Sequence, residues 1–121
     1  MPRALFPMYQ ATLTETFTAT HALAGVRPKP HSHRWVVRVT VSVPDDGLSE
    51  PGFVVNYYEL KPLVRSLLPE GKHLNDEYPV VPTAENLAKV FYDRLKPVLP
   101  QLESVSVGEF EQFMCTYRPD A

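Results

Sequence analysis

Two long runs of alternating residues constrain the fold of this chain more than any other feature. From Tyr9 to His21, apolar residues alternate with threonines and other polar residues. A second alternation runs from His31 to Val43, with Trp35 and a series of valines on one side. Side chains of a β-strand point to alternate faces, so each run predicts a strand with one buried face. The loop predicted between them, residues 22–30, is short enough to join the two strands as antiparallel neighbours.

The middle of the chain predicts two helices. Asn56 is a candidate N-cap with Glu59 three residues later, followed by leucines at helical spacing. Pro62 lies inside that pattern and lacks an amide donor, so a kink or a later helix start is expected there. Thr83 is the candidate cap of a second helix, which should end at the segment Pro97–Pro100.

Short extended segments complete the pattern. They are predicted at residues 52–55, 103–109 and 113–117, and the last contains Cys115, interpreted as a small buried residue. The order of strands, helices and strands predicts an α+β fold, an antiparallel sheet with two helices packed on one face. A length of 121 residues fits a single domain spanning residues 1–121.

Charge and hydropathy exclude several classes of function. The formal net charge is -2 and the lysines and arginines are scattered, which argues against nucleic-acid binding. No window approaches the roughly 18 to 20 apolar residues that span a bilayer. The sequence contains one cysteine and begins without the apolar stretch of a secretory signal, so the cytoplasm is the expected compartment.

Three histidines are the candidate metal ligands. His31 and His33 lie two residues apart and therefore share a face of their strand. His21 has the parity of the apolar residues of its own strand and stands at the end that meets His31. Zinc favours imidazole nitrogens, and three protein ligands with an open fourth position are typical of a catalytic site. Exposed, hydrogen-bonded histidines are the alternative interpretation, and the spacing alone leaves it open.

Several segments occur in a recognisable order, namely FTATHAL, HSH, GFVVNYYELK, HLND, PTAENLA and VGEFEQFMCTY. Their order and spacing resemble those of the 6-pyruvoyltetrahydropterin synthases and the related 6-carboxytetrahydropterin synthases. The resemblance implies a tunnelling fold, in which sheets of several subunits join into an oligomeric β-barrel, commonly a homohexamer of two trimers. It also implies a pterin ligand and a zinc ion held by the residues that match His21, His31 and His33.

The resemblance further implies residues that bind the pterin. By its spacing to Tyr117, Glu109 matches a glutamate that clamps the pterin ring, and a carboxylate accepts two parallel hydrogen bonds from such a ring. A surface glutamate is the alternative for Glu109. Thr83 and Glu85 are further candidates for substrate binding, although helix capping and the helix dipole explain them equally well.

The chain departs from the family pattern at the residues that move protons. Arg27 stands where family members usually carry a catalytic cysteine, and a guanidinium cannot act as a base. Arg27 is instead a candidate to hold a phosphate or carboxylate of the ligand, and a solvated loop charge is an equally compatible interpretation. Glu70 and Gly71 replace an Asp-His pair, so His73, together with Glu70 and Glu109, becomes the candidate acid or base. An exposed loop histidine is an equally compatible interpretation of His73.

Two hypotheses follow for the function. The first is a zinc-dependent lyase that acts on 7,8-dihydroneopterin triphosphate or a related pterin with altered proton-transfer residues. The second is a catalytically inactive module that binds zinc and a pterin and serves as a carrier, a sensor or an assembly partner.

Overall fold

The structure, a computed structural model, describes residues 7–120. Its elements are β1 (Met8–Leu23), β2 (Arg27–Pro44), α1 (Tyr57–Leu67), α2 (Leu74–Glu77), α3 (Ala84–Leu95), a 3-10 turn (Lys96–Val98), β3 (Leu102–Phe110) and β4 (Phe113–Tyr117). The strands form one antiparallel sheet in the order β1-β2-β3-β4. The helices pack on one face of this sheet, so the predicted α+β fold is confirmed.

The parity of the two long strands places the core. Phe17 of β1 pairs with Trp35 of β2, and both side chains are buried and stacked with ring centroids 6.0 Å apart. Phe91 of α3 meets Phe17 edge-on at 6.1 Å. The threonines of β1 lie on the other face, where they are exposed or half-buried. The alternation read from the sequence therefore separates a helix-covered face from a polar one.

A charged contact attaches α1 to β1. Glu15 has the parity of Phe17 and is buried, and its carboxylate lies 2.6 Å from the Lys61 ammonium of α1. Arg65, one helical turn further on, approaches the same carboxylate at 3.5 Å and donates to the Thr16 carbonyl at 2.6 Å. A buried carboxylate is costly without partners, and these two cations compensate it.

The helix caps agree with the sequence. The Asn56 side chain accepts from the Tyr58 amide at 2.9 Å, and Thr83 accepts from the Asn86 amide at 3.1 Å. The later start expected from Pro62 is wrong, because α1 begins at Tyr57 and continues through the proline. Pro62 lies in the second turn and removes only one hydrogen-bond donor there. None of the helices within residues 7–120 combines the length and the apolarity that crossing a bilayer requires.

Several segment predictions need correction. The loop expected at residues 22–30 is shorter, because β1 reaches Leu23 and β2 begins at Arg27. The register is irregular between His21 and Leu23, next to the segment of β2 that contains Pro28 and Pro30. The segment 52–55 forms no strand, only one bridge between Ser49 and Phe53. The short helix α2 was not predicted. Cys115 is partly exposed rather than buried, because β4 is short and lies at the edge of the sheet.

The β3–β4 hairpin depends on Gly108. A Cβ atom at this position would lie 2.5 Å from the Phe113 carbonyl oxygen and 2.7 Å from that of Phe110. The register between β3 and β4 is irregular between Val107 and Phe110. Because Gly108 has no side chain, the backbone of the hairpin can approach it closely. This approach redirects the chain at the next residue, Glu109, at the end of β3.

We expect Gly108→Ala to lower the free energy of unfolding by about 1 to 3 kcal/mol, the usual cost of forcing an atom into occupied space. Urea denaturation of the two proteins measures this difference. Gly47→Ala is the matched control, because its nearest neighbours lie at 3.1 Å or more and the loss should be smaller. Equal stability of Gly108→Ala and the unmodified protein would contradict the tight packing of the hairpin.

Candidate metal centre

Strand register brings three histidines together at one end of the sheet. His21 of β1 pairs directly with His31 of β2, and His33 pairs with Ala19. The ring centroids are 4.5 Å apart for His21 and His31, 5.2 Å for His21 and His33, and 5.0 Å for His31 and His33. The convergence that strand parity predicted is therefore present in the structure.

Trp35 packs against one side of this histidine cluster. Its ring lies edge-on to His21 at 4.8 Å and to His33 at 5.5 Å, and its indole N–H donates to the Ala19 carbonyl at 3.2 Å. The tryptophan is fully buried, and His21 is only 1% exposed. Water is thus excluded from one side of the imidazoles, which strengthens their interaction with any charge placed among them.

Backbone carbonyls orient two of the rings. Nδ1 of His21 lies 2.8 Å from the Pro82 carbonyl, and Nδ1 of His31 lies 2.9 Å from the Lys29 carbonyl. A carbonyl only accepts, so each Nδ1 carries a proton and each Nε2 keeps a lone pair when the ring is neutral. This arrangement, with the second ring nitrogen held by a carbonyl, is the usual support of a metal-binding histidine.

Glu109 completes the cluster from β3. Its Oε2 atom lies 2.9 Å from Nε2 of His21 and 3.0 Å from Nε2 of His33. Both Nε2 atoms are buried without a hydrogen-bond partner, so these short contacts lack hydrogen-bond alignment. One ligand atom from each of these residues and His31 lies within 4.8 Å of the others. The donor set fits a divalent metal of the zinc type, for which imidazole nitrogen and carboxylate oxygen are ordinary ligands.

The electrostatics of His33 favour the neutral ring. Burial lowers the pKa of His33 below its ordinary value, and the positive charge of Arg27 lowers it further, while Glu109 opposes the shift. A neutral imidazole has the lone pair that metal binding needs.

A pocket of about 320 Å³ opens beside the cluster. It is lined by His21, Leu23, Thr83, Ala84, Glu85, Glu109, Phe110 and Phe113. The candidate substrate-binding residues Thr83 and Glu85 therefore border the same space as Glu109. The volume lies at the lower end of the range of small-molecule sites, roughly 300 to 1,000 Å³.

Sequence reasoning missed two apolar residues of this pocket. Phe110 and Phe113 face each other across the hairpin and are 51% and 70% exposed. Two phenylalanines that follow Glu109 in a predicted hairpin were a usable signal, because large apolar side chains left in solvent often mark a binding surface. The roles of the Pro82 and Lys29 carbonyls had no such signal, since any residue type supplies a carbonyl.

The segment around residues 70–73 lies elsewhere. The Glu70 carboxylate accepts from the Thr18 amide at 2.9 Å, and His73 Nδ1 lies 2.8 Å from the Thr20 hydroxyl. Thr20 and His21 are consecutive in β1 and point to opposite faces. Within one chain, the structure therefore places His73 on the face opposite the histidine cluster and does not bring Glu70 or His73 into it.

Arg27 and Cys115 also remain outside the cluster. Arg27 begins β2, is exposed, and has the strand parity of His31 and His33, so its charge reaches His33 without its side chain being buried. Burial raises the pKa of the Cys115 thiol, which keeps it protonated and unsuited to the role of a base.

Comparison with known proteins identifies the family. The family model described as 6-pyruvoyl tetrahydropterin synthase matches residues 10–120. A 6-carboxy-5,6,7,8-tetrahydropterin synthase of Bacillus subtilis is 34% identical over 108 residues, covering 79% of this chain and 73% of that protein. An Aquifex aeolicus protein of the same name is 35% identical over 95 residues, covering 59% and 57%.

The fold comparison agrees with the sequence comparison. The 6-pyruvoyl tetrahydropterin synthase of Caenorhabditis elegans superimposes with a TM-score of 0.78 at 21% identity, covering 93% of this chain and 96% of that one. The chain belongs to the 6-pyruvoyl tetrahydropterin synthase family. The resemblance seen in the sequence is thereby confirmed.

Asn75 fixes the end of β1 next to His21. Its amide oxygen accepts from the Ala22 N–H at 2.8 Å, and its amide nitrogen donates to the Ala22 carbonyl at 2.9 Å. Asn75→Asp keeps the acceptor and loses the donor of an exposed hydrogen bond, so we expect the free energy of unfolding to fall by about 0.5 to 1.5 kcal/mol in urea denaturation.

The matched control for that substitution is Asn56→Asp. Asn56 uses only its acceptor, and aspartate caps a helix as well as asparagine does, so this variant should be nearly neutral. Equal effects of the two substitutions would show that the Asn75 donor contributes nothing.

Proposed function

We propose that this chain binds one zinc ion through His21, His31 and His33 and holds a pterin in the adjoining pocket. The observation that carries the proposal is the convergence of three imidazoles, two of which, His21 and His33, have buried Nε2 atoms without a hydrogen-bond partner. Two of the rings are held at Nδ1 by carbonyls, which leaves Nε2 as their metal-binding atom. The names of the relatives, tetrahydropterin synthases, support a pterin as the ligand.

The pocket residues suit a pterin ring. The Glu109 carboxylate can accept paired hydrogen bonds from the ring's amino group and adjacent N–H, and Glu85 and Thr83 border the same space. Phe110 and Phe113 offer apolar surface to a planar ring. A zinc ion at the cluster supplies Lewis acidity, which acidifies hydroxyl groups and polarises carbonyl groups of a bound ligand.

The first candidate reaction is that of a lyase on 7,8-dihydroneopterin triphosphate or a related pterin. It is favoured by the 34% identity to a 6-carboxy-5,6,7,8-tetrahydropterin synthase. Glu109, at the pocket, is the residue placed to hold or accept a proton. Glu70 and His73 would take part only at the site of another subunit, as in the hexamer of two trimers that the resemblance implies. Arg27 would hold an anionic group of the ligand.

The second candidate is a zinc- and pterin-binding module without turnover. It is favoured by the contacts that Glu70 and His73 make, because these residues lie in the segment that replaces the family's catalytic pair. Glu70 is engaged with the Thr18 amide and His73 with the Thr20 hydroxyl, and both contacts fasten the segment to β1. Arg27 cannot act as a base in place of a cysteine.

We expect the purified protein to contain one zinc ion per chain and His31→Ala to lose most of it, because the remaining donors no longer surround the ion. Metal analysis by mass spectrometry after dialysis measures this. His73→Ala is the matched control and should retain zinc, since its ring lies on the other face of β1. Zinc loss in both variants, or in neither, would contradict the assigned ligands.

Incubation of the zinc-loaded protein with 7,8-dihydroneopterin triphosphate separates the two candidates. Conversion detected by mass, abolished in His31→Ala, is expected of the lyase. Pterin binding seen by fluorescence without any new product is expected of the binding module. Failure to bind any pterin would exclude both.

A further inference from the structure

We propose that Glu109 is a fourth metal ligand. It occupies the remaining coordination position until a bound pterin takes the carboxylate as a hydrogen-bond partner. The inference rests on the proposed zinc site. It differs from the open fourth position that three histidines alone would leave, and it gives Glu109 two alternating partners, the metal and the pterin ring.

Distances within the cluster support direct ligation. Ligand atoms bonded tetrahedrally to one zinc ion are separated by about 3.3 Å, as bond lengths near 2 Å require. The Glu109 Oε2 atom lies 2.9 Å and 3.0 Å from Nε2 of His21 and His33, close to that separation. A carboxylate that only clamped a pterin ring would not need to approach the imidazole nitrogens so closely.

The contacts of Glu109 with the imidazoles lack the alignment of hydrogen bonds. Nδ1 of His21 lies 2.8 Å from the Pro82 carbonyl, and its Nε2 atom is buried without a hydrogen-bond partner, although the Glu109 oxygen lies 2.9 Å away. Nε2 of His33 is buried in the same way, 3.0 Å from that oxygen. The three donor atoms therefore face a common point, as ligands of one metal ion do.

The position of Glu109 permits exchange between the two partners. Its side chain is 30% exposed and lines the pocket, so the carboxylate reaches both the histidines and the space for a ligand. Glu85 lines the same pocket but does not belong to the metal-ligating group. Hydrogen bonding of Glu109 to a pterin would withdraw it from the metal and leave one position for an oxygen of the ligand.

The test compares zinc affinity and the visible absorption of the cobalt-substituted protein for the unmodified chain and Glu109→Gln. We expect zinc affinity to fall at least about 10-fold, the lower range for disturbing a metal site, and the cobalt spectrum to change as one ligand is replaced. Glu111→Gln is the matched control, because this carboxylate is 75% exposed and contacts Arg38 at 3.4 Å. It should leave both measurements unchanged. Circular dichroism confirms that each variant is folded.

Neopterin added to the cobalt protein tests the exchange without a substitution. Its binding, followed by fluorescence, should shift the cobalt spectrum. Equal zinc affinity and identical spectra for the unmodified chain and Glu109→Gln would overturn the ligation while leaving the three-histidine site intact. An unchanged spectrum with neopterin bound would overturn the exchange. Absence of metal from the unmodified chain would overturn the proposed function as well.

Discussion

The antiparallel pairing of His21 with His31 is the constraint on which the rest of the site depends. A shift of one residue in this register would turn one histidine to the polar face of the sheet and separate the rings. Burial of Phe17 against Trp35, four residue pairs further along the ladder, opposes such a shift, because it would turn one of the two aromatic side chains out of the core. The core therefore fixes the geometry of the histidine cluster, and the fold and the candidate site rest on the same strand alternation.

The cap of α3 links the helical layer to this centre. Thr83 accepts from the Asn86 amide, and the Asn86 side chain donates to the Val81 carbonyl at 2.8 Å. Pro82 lies between these anchored residues, and its carbonyl accepts the Nδ1 proton of His21. The same short loop thus ends at a helix cap, orients the His21 ring and, through Thr83 and Glu85, borders the pocket. One segment therefore caps a helix and supports the histidine cluster.

The features of the structure that could be predicted from the sequence are those that follow from repeating residue patterns and capping residues. Strand parity located His21 beside His31 and His33, and capping residues located the starts of both long helices. Parity could not show that the Glu109 carboxylate lies among the imidazoles, because an irregular register after Val107 alters the direction of the strand end. It also could not place His73, whose position depends on hydrogen bonds between a loop and the edge of β1 rather than on any repeating pattern.

The loop around residues 70–73 lies against β1 and has a structural use there. Gly71 has a φ of +73°, a conformation that L side chains adopt only with strain, and its amide donates to the Thr18 carbonyl at 2.7 Å. The next residue, Lys72, accepts from the Thr20 amide at 3.0 Å, so the segment runs along β1 as a short parallel extension of the sheet. A histidine at position 71 would have to adopt this strained backbone conformation, or the segment would have to take a different one. Within one chain the segment therefore anchors the edge of β1, apart from the histidine cluster and the adjoining pocket.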